Sequence, residues 1–275
     1  MSASAISASD VEAWRGWIGR TEERTERLDA GALRRFAAAL AEDLDVEARQ
    51  PSLAHWAFFL PVAASFGADG HTPRGGFMPP IALPRRMFAS SEMRFPAPLE
   101  LDREARRVAR IVDVGHKAGR TGDLVLVTAD YVLLQDGRPR VEERQTIVFR
   151  GAGEAQDAIV PQGEAPAGAA VWRPGPVDLF RFSAATFNSH RIHYDLPYAR
   201  EEEGYPDLVV HGPFTAARLF AHAARHGGRP TAFAFRASAP LFAGQPVALV
   251  DGATSGEVSA LRCDGVTAMT ATSEI

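Results

Sequence analysis

Apolar residues recur at two different periods along the chain, and the change of period organises it. Residues 9–20, SDVEAWRGWIGR, put Trp14 and Trp17 on one helical face behind Ser9 as N-cap. Residues 30–42 carry Leu33, Phe36, Ala37 and Leu40 at helical spacing. Pro51 precedes SLAHWAFFLPVAASF, which is apolar nearly all round and predicts a long buried helix, ended or kinked by Pro61. GADGHTPRGGFMPPIALPRRM is dense in Gly and Pro and predicts loop. The period then changes to two. MRFPAPLEL, ARRVARIVDVGHKA, LVLVTADYVLLQDG and VEERQTIVFR predict four antiparallel strands, with Asp136-Gly137 as a hairpin turn.

Residues 151–176 are rich in Gly, Ala and Pro without periodicity, which predicts a linker. Beyond it the order repeats. PVDLFRFSAATF predicts a short strand, residues 213–226 an apolar helix stopped by Gly227-Gly228, and TAFAFRASAPLF, PVALVDGATSG and EVSALRCDGVTAMTATSEI three more strands. The expected class is α+β with a double hot-dog architecture, two tandem folds that each wrap an antiparallel sheet around a long helix. The expected divisions are a first hot-dog over 1–152, a linker over 153–174 and a second hot-dog over 175–275. Two such sheets joined edge to edge would hide the open strands each has alone.

Composition narrows the function classes. The chain has 275 residues, 46% apolar and 23% charged, enough for a sizeable core. A net charge of −4 without a long basic run argues against nucleic acid as a partner. Cys263 is the only cysteine and can form no internal disulfide, which fits a cytoplasmic setting. The start, MSASAISASDVEAW, lacks a signal-peptide pattern, and no apolar run approaches the ~20 residues of a membrane span. No zinc spacing or Gly-rich phosphate loop occurs, so no metal or redox cofactor is expected.

The stretch from 180 to 214, FRFSAATFNSHRIHYDLPYAREEEGYPDLVVHGPF, is too polar for a core segment and too aromatic for a solvated loop. It predicts an active-site loop feeding a buried helix. Gly212-Pro213 opens that helix, and a helix start presents unpaired N–H groups suited to a developing oxyanion.

FNSHRIHYD followed by GYPDLVVHGPF resembles the MaoC-like hydratase/dehydratase superfamily. The resemblance is closer to the branch of mesaconyl-CoA and itaconyl-CoA hydratases and 3-hydroxyacyl-thioester dehydratase type 2. GGFMPPIALPRRMF and VTADYVLLQDG look like that branch's degenerate first hot-dog. The family loop reads Asp, any residue, Asn, Pro, aliphatic, His. Here that register holds Asn188, Ser189, His190, Arg191, Ile192 and His193.

The resemblance implies reversible addition of water across the α,β-double bond of a short, branched or dicarboxylic enoyl-CoA. His193 is the expected general base and Asn188 the group that orients water. Gly212, with His211 beside it, is the expected oxyanion hole. His190 is expected near the substrate, and Arg85, Arg86 and Arg236 near the phosphates of coenzyme A. Arg191 is the candidate for a substrate carboxylate. His55 and Trp56 are expected to pack in the core. Coenzyme A enters only as part of the substrate, and a homo-oligomer is compatible with the fold. Rival readings are a dehydratase for acyl-carrier-protein thioesters, a non-catalytic acyl-thioester binder and, less well supported by the His-bearing loop, a thioesterase.

Overall fold

Alternating apolar positions over long segments build the frame of the computed structural model, which describes residues 6–119, 122–153, 155–225 and 227–275. The strands form one ten-stranded antiparallel sheet. Its order is β1 (Thr21–Arg27), β3 (Glu104–Gly119), β4 (Gly122–Gln135), β5 (Arg138–Arg150), β2 (Arg85–Arg94), β7 (Ala232–Ala237), β10 (Thr267–Glu274), β9 (Glu257–Leu261), β8 (Val247–Asp251), β6 (Ala170–Trp172). The halves meet where β2 pairs with β7, from Ser90 opposite Arg236 to Arg94 opposite Ala232. The edge-to-edge union expected from the sequence is therefore made, and it removes one open edge from each half. Asp136 and Gly137 both take positive φ, 50° and 71°, the conformation a two-residue hairpin between β4 and β5 requires.

In the second half the hot-dog is complete. After the short helix α4 (Leu196–Glu201), the helix α5 (Gly212–Ala223) lies against β7, β8, β9 and β10, with Phe214, Leu219 and Phe220 buried. It stops at Ala223; His226, part of the expected helix, lies outside the described residues.

The first half departs from expectation. The apolar run after Pro51 makes only a 3₁₀ turn at Ala54–Ala57, not a long helix. Leu53 and Phe59 sit at φ 51° and 54°, and residues 61–66 are exposed. The run's apolarity correctly signals burial of Leu53, Ala57, Phe58 and Phe59, but periodicity cannot tell a buried helix from a buried irregular segment. Its backbone is satisfied from β1, a strand without apolar alternation that pattern reading passes over. Glu26 accepts the Phe59 N–H (2.8 Å), and Arg24 donates to the Phe59 and Leu60 carbonyls (3.0 Å each).

Shorter elements also shift. The helix α1 (Ala8–Arg15) is capped by Ser7, in a capping box with Asp10, rather than by Ser9. The helix α2 (Ala30–Ala39) is capped by Asp29 and packs on the segment expected to be a strand, which is the helix α3 (Pro176–Ala185). There Pro176 at the first turn and Asp178 accepting the Gly175 N–H (2.8 Å) are helix-start signals, and Leu179, Phe182 and Ser183 share the buried face. The strand β2 covers 85–94 rather than 93–101, β6 forms within the expected linker, and the last expected strand turns at Gly265 (φ 81°) into β9 and β10.

Candidate active site

The apolar run after Pro51 forms no long helix, and this leaves space in the first half. A cavity of about 1270 Å³ lies there and reaches into the second half, walled by both. From the first half come His55, Trp56, His71, Arg86, Phe88, Tyr131, Glu143 and Gln145; from the second come Asn188, His190, His193, Gly212 and Arg236.

The second-half groups sit on the loop that leaves α3. Phe187 turns the chain at φ 49°, and the Asn188 carboxamide oxygen accepts the His190 N–H (3.0 Å), closing an Asx turn. That bond uses the oxygen and leaves the NH₂ as a donor. A 3₁₀ turn at Arg191–His193 then carries His193 to the wall. The His193 Nδ1–H donates to the Val209 carbonyl (2.7 Å). A carbonyl can only accept, so this bond fixes the tautomer and leaves Nε2 with its lone pair. Burial, then the neighbouring His211 and His190, hold the His193 pKa well below its ordinary value, against the Val209 bond that favours the charged form. His193 is therefore neutral near pH 7.

Two more imidazoles brace it. His211 stacks on His193 with centroids 3.6 Å apart and bonds Ser183 Oγ through Nε2 (2.8 Å). Burial pushes its pKa down to about 3. His190 meets His193 edge-on at 5.4 Å and donates from Nε2 to Glu203 (3.3 Å). Beside them Gly212 and Pro213, the first residues of α5, line the cavity. The Gly212 N–H, at the helix start, has no intrahelical acceptor.

The first half adds a polar wall. His71 packs on His190 (4.1 Å) and donates to Asp69 (3.3 Å). Burial lowers its pKa to about 3, with the Asp69 bond opposing and the Arg86 charge adding. On the next strands the buried Glu143 carboxylate accepts from His55 (3.1 Å), Ser91 (2.7 Å) and Trp56 (3.2 Å). Burial pushes Glu143 up, but the His55 and Ser91 bonds outweigh it and keep the group below the usual carboxylate range.

The cavity thus brings together His193, Asn188, His190, Gly212, Arg86 and Arg236. Three expected residues are placed elsewhere. Arg85 is buried against Glu203 (4.0 Å) and the Glu203 carbonyl, so it is not available to coenzyme A. Arg191 grips Asp195 (2.7 Å) and stacks on Tyr198 (4.1 Å), so it is not aimed at a substrate carboxylate. The His211 side chain lies behind His193, not on the cavity wall. His55 and Trp56 do pack in the interior, yet they also face the cavity. His71, Asp69, Tyr131, Ser183, Glu203 and Glu143 were not anticipated. The Asp-Gly-His sequence within a Gly/Pro-rich loop was the available signal for the first two.

Among the described residues no helix is long and apolar enough to cross a membrane, and no three His, Cys, Asp or Glu side chains are grouped to hold a metal ion.

Comparison with known proteins gives a consistent picture. The sequence model of the hydroxyacyl-thioester dehydratase type 2 family matches residues 53–243. The mesaconyl-C(4)-CoA hydratase of Chloroflexus aurantiacus is 43% identical over 273 residues, covering 95% of this chain and 98% of that protein. Among solved structures, HtdX of Mycobacterium tuberculosis superposes with a TM-score of 0.66 at 18% identity, covering 92% of this chain and 98% of that one. A second Mycobacterium tuberculosis protein, described as a double hotdog fold, gives 0.53 at 10% identity over 93% and 95% of the two chains. These two likenesses establish the double hot-dog fold.

Proposed function

The chain belongs to the hydroxyacyl-thioester dehydratase type 2 family, in the MaoC-like branch, and from that premise we infer that it is a hydro-lyase adding water reversibly across the α,β-double bond of an enoyl-CoA. The name of the Chloroflexus aurantiacus relative supports a short, branched, dicarboxylic acyl group of the mesaconyl kind. The observation that carries the chemistry is the neutral His193, its Nδ1–H held by Val209 and its ring on the cavity wall near Gly212.

In hydration, His193 Nε2 takes a proton from water as the oxygen bonds to Cβ. The π electrons move to Cα and the thioester carbonyl, whose oxygen gains negative charge. The Gly212 N–H, at the positive end of α5, is the donor for that oxygen. The imidazolium then returns its proton to Cα, and the ring is neutral again. In dehydration the same proton moves run in reverse. The Asn188 NH₂ positions the water, its oxygen being held in the Asx turn. His211 and His190 keep the His193 ring in place by stacking and edge contact. Arg236, exposed on the cavity wall, is suited to a coenzyme A phosphate, and no further cofactor is required.

The test is a panel of unsaturated acyl-CoAs, followed by the mass gain of one water. Wild-type protein should hydrate at least one member. His193→Ala should lower kcat/KM by ~10²-fold or more, the range of general acid–base catalysis, with the fold intact by circular dichroism. Near wild-type turnover in that variant would remove His193 from the role.

A further inference from the structure

Arg86 has an unusual position. A β-bulge shifts the register of β2 between Phe88 and Ser90, so that Arg86 and Phe88 face the same side as Ser91 and Met93. Arg86 lies opposite Phe149, and Ser91 and Met93 lie opposite Gln145 and Glu143, all three cavity residues. The guanidinium is thereby turned into the interior, where it lines the cavity. Its charge reaches His71, the ring packed on His190.

Arg150, Lys117 and Arg236 also line the cavity without a hydrogen-bond or ion-pair partner among the described residues, but Arg86 lies beside Tyr131 and His71, and the other charged groups there are matched. Arg107 has Glu22 (3.1 Å), Arg74 has Asp69 (3.6 Å) and three carbonyls, and Glu143 is taken by His55, Ser91 and Trp56. Arg86 makes no hydrogen bond or ion pair among the described residues. Arg86 is half-buried, and the Asp69 charge reaches it without a direct contact; partly desolvating a cation that has no hydrogen-bonded counter-ion is costly, and a guanidinium cannot escape by losing its proton in the working range. Close to it, the Tyr131 hydroxyl also lacks a hydrogen-bond partner among the described residues, and burial pushes its pKa up to about 12, so it stays a neutral donor. A fork of guanidinium N–H groups with a phenol beside it fits a carboxylate.

We propose that Arg86, helped by Tyr131, binds the free carboxylate of the acyl group and makes the enzyme selective for dicarboxylic enoyl-CoAs. The inference rests on the hydratase function and specifies its substrate class. The depth of Arg86 separates it from the exposed Arg236, which suits the coenzyme end. In a mesaconyl group thioesterified at C4, the carboxylate is attached to the carbon that receives the hydroxyl. The anion would then sit beside the imidazole cluster, where Arg86 is. Arg191, with Asp195 and Tyr198 as partners, is not needed for it.

The experiment compares kcat/KM of the full-length protein on mesaconyl-C4-CoA and on 3-methylcrotonyl-CoA, which replaces the carboxylate by a methyl group. Wild type should favour the diacid, because a ligand that fills the cavity but leaves the Arg86 charge unpaired is penalised. In Arg86→Met the diacid-to-monoacid ratio should fall by roughly 10²-fold, the scale for truncating one partner of a buried charge pair. Tyr131→Phe should lower the ratio less. Equal losses on both substrates would assign Arg86 to the coenzyme or to the fold and overturn the proposal, as would an unchanged ratio. Wild type that turns over the monoacid but not the diacid overturns the proposal while leaving the hydratase function standing. Turnover of neither, nor of any other enoyl-CoA, overturns both. Should Arg86→Met not fold, the same ratio is read in Arg86→Lys and Tyr131→Phe, with a retained wild-type ratio in both counting against the proposal.

Discussion

In the second half of the sheet, α5 lies across the strands and buries Phe214, Leu219 and Phe220; in the first half the short helix α1 packs on β3 through Val11 and Trp14, and Tyr131, Glu143 and Gln145 are left facing a cavity. One frame is filled in two ways. From the filled half come His193 and Gly212, which line the cavity and are the groups proposed for proton transfer and oxyanion binding. The unfilled half leaves the cavity, the room proposed for the acyl thioester, and must satisfy its polar walls with side chains. It does so with buried networks such as Glu143 with His55, Ser91 and Trp56, whose members each have a partner.

The imidazoles gathered where the halves meet give the largest expected effect. His71, His193 and His211 all have lowered pKa values, chiefly through burial. In the unfolded chain each would take a proton near pH 6.5; in the fold, His71 and His211 do so only near 3. Below 6.5 the unfolded state therefore binds more protons, and stability falls as pH drops from about 6.5 toward 3. The lowered carboxylate of Glu143 adds its loss only at lower pH, below its ordinary value of 4.5. Thermal midpoints should decline already between pH 6.5 and 5, with amide exchange rising first around residues 188–193 and 211. A midpoint that stays level to pH 5 and drops only with the carboxylates would show that the cluster does not set acid stability.

Core truncation sharpens the contrast between the halves. Phe220→Ala removes a ring buried to 2% exposure and should destabilise by ~3–5 kcal/mol in denaturant unfolding. Phe66→Ala, in the segment that stands where a first-half helix was expected, removes a ring that is 73% exposed and should change stability by ~0.5 kcal/mol or less. A comparable loss in both would mean that Phe66 is covered in solution.

What the sequence disclosed follows the same division. Period-two alternation located β3, β4 and β5, and the apolar stretch opened by Gly212-Pro213 located α5, because these elements bury one face against a single partner. The apolar run at 52–66 was ambiguous because irregular chain can be buried as well as helix can. The strand β1 was silent because its Glu and Arg side chains serve the backbone of another segment. In the site, His193 and Asn188 were singled out through the FNSHRIHYD segment and the family it resembles, and both line the cavity. Arg86 was assigned to the coenzyme and Arg191 to a carboxylate, whereas the structure gives Arg191 a local partner four residues on and turns Arg86 inward through a bulge that residue spacing does not reveal. Contacts between distant loops, such as His71 on His190, leave no local trace at all.

That last contact can be loosened at one point. Gly70, at φ +87°, lies where an added Cβ would be 1.9 Å from the Ser189 carbonyl oxygen, far inside van der Waals contact. Around it the two loops are tied by Arg191 N–H to the Asp69 carbonyl (3.0 Å), by Arg191 to the Ala68 carbonyl (3.1 Å) and by Ser189 to the Gly70 carbonyl. Gly70→Ala must therefore both strain the backbone and push the loops apart, separating His71 from His190. The expected cost is ~1–3 kcal/mol of stability, with kcat/KM falling by more than the stability loss alone explains, since the displaced loop carries Asn188 and His193. Gly76→Ala, with nothing within 4 Å of the added atom and no positive φ, supplies the control and should be silent. If both variants turn over alike, the joint between the halves does not position the reacting groups, and the filled half holds them unaided.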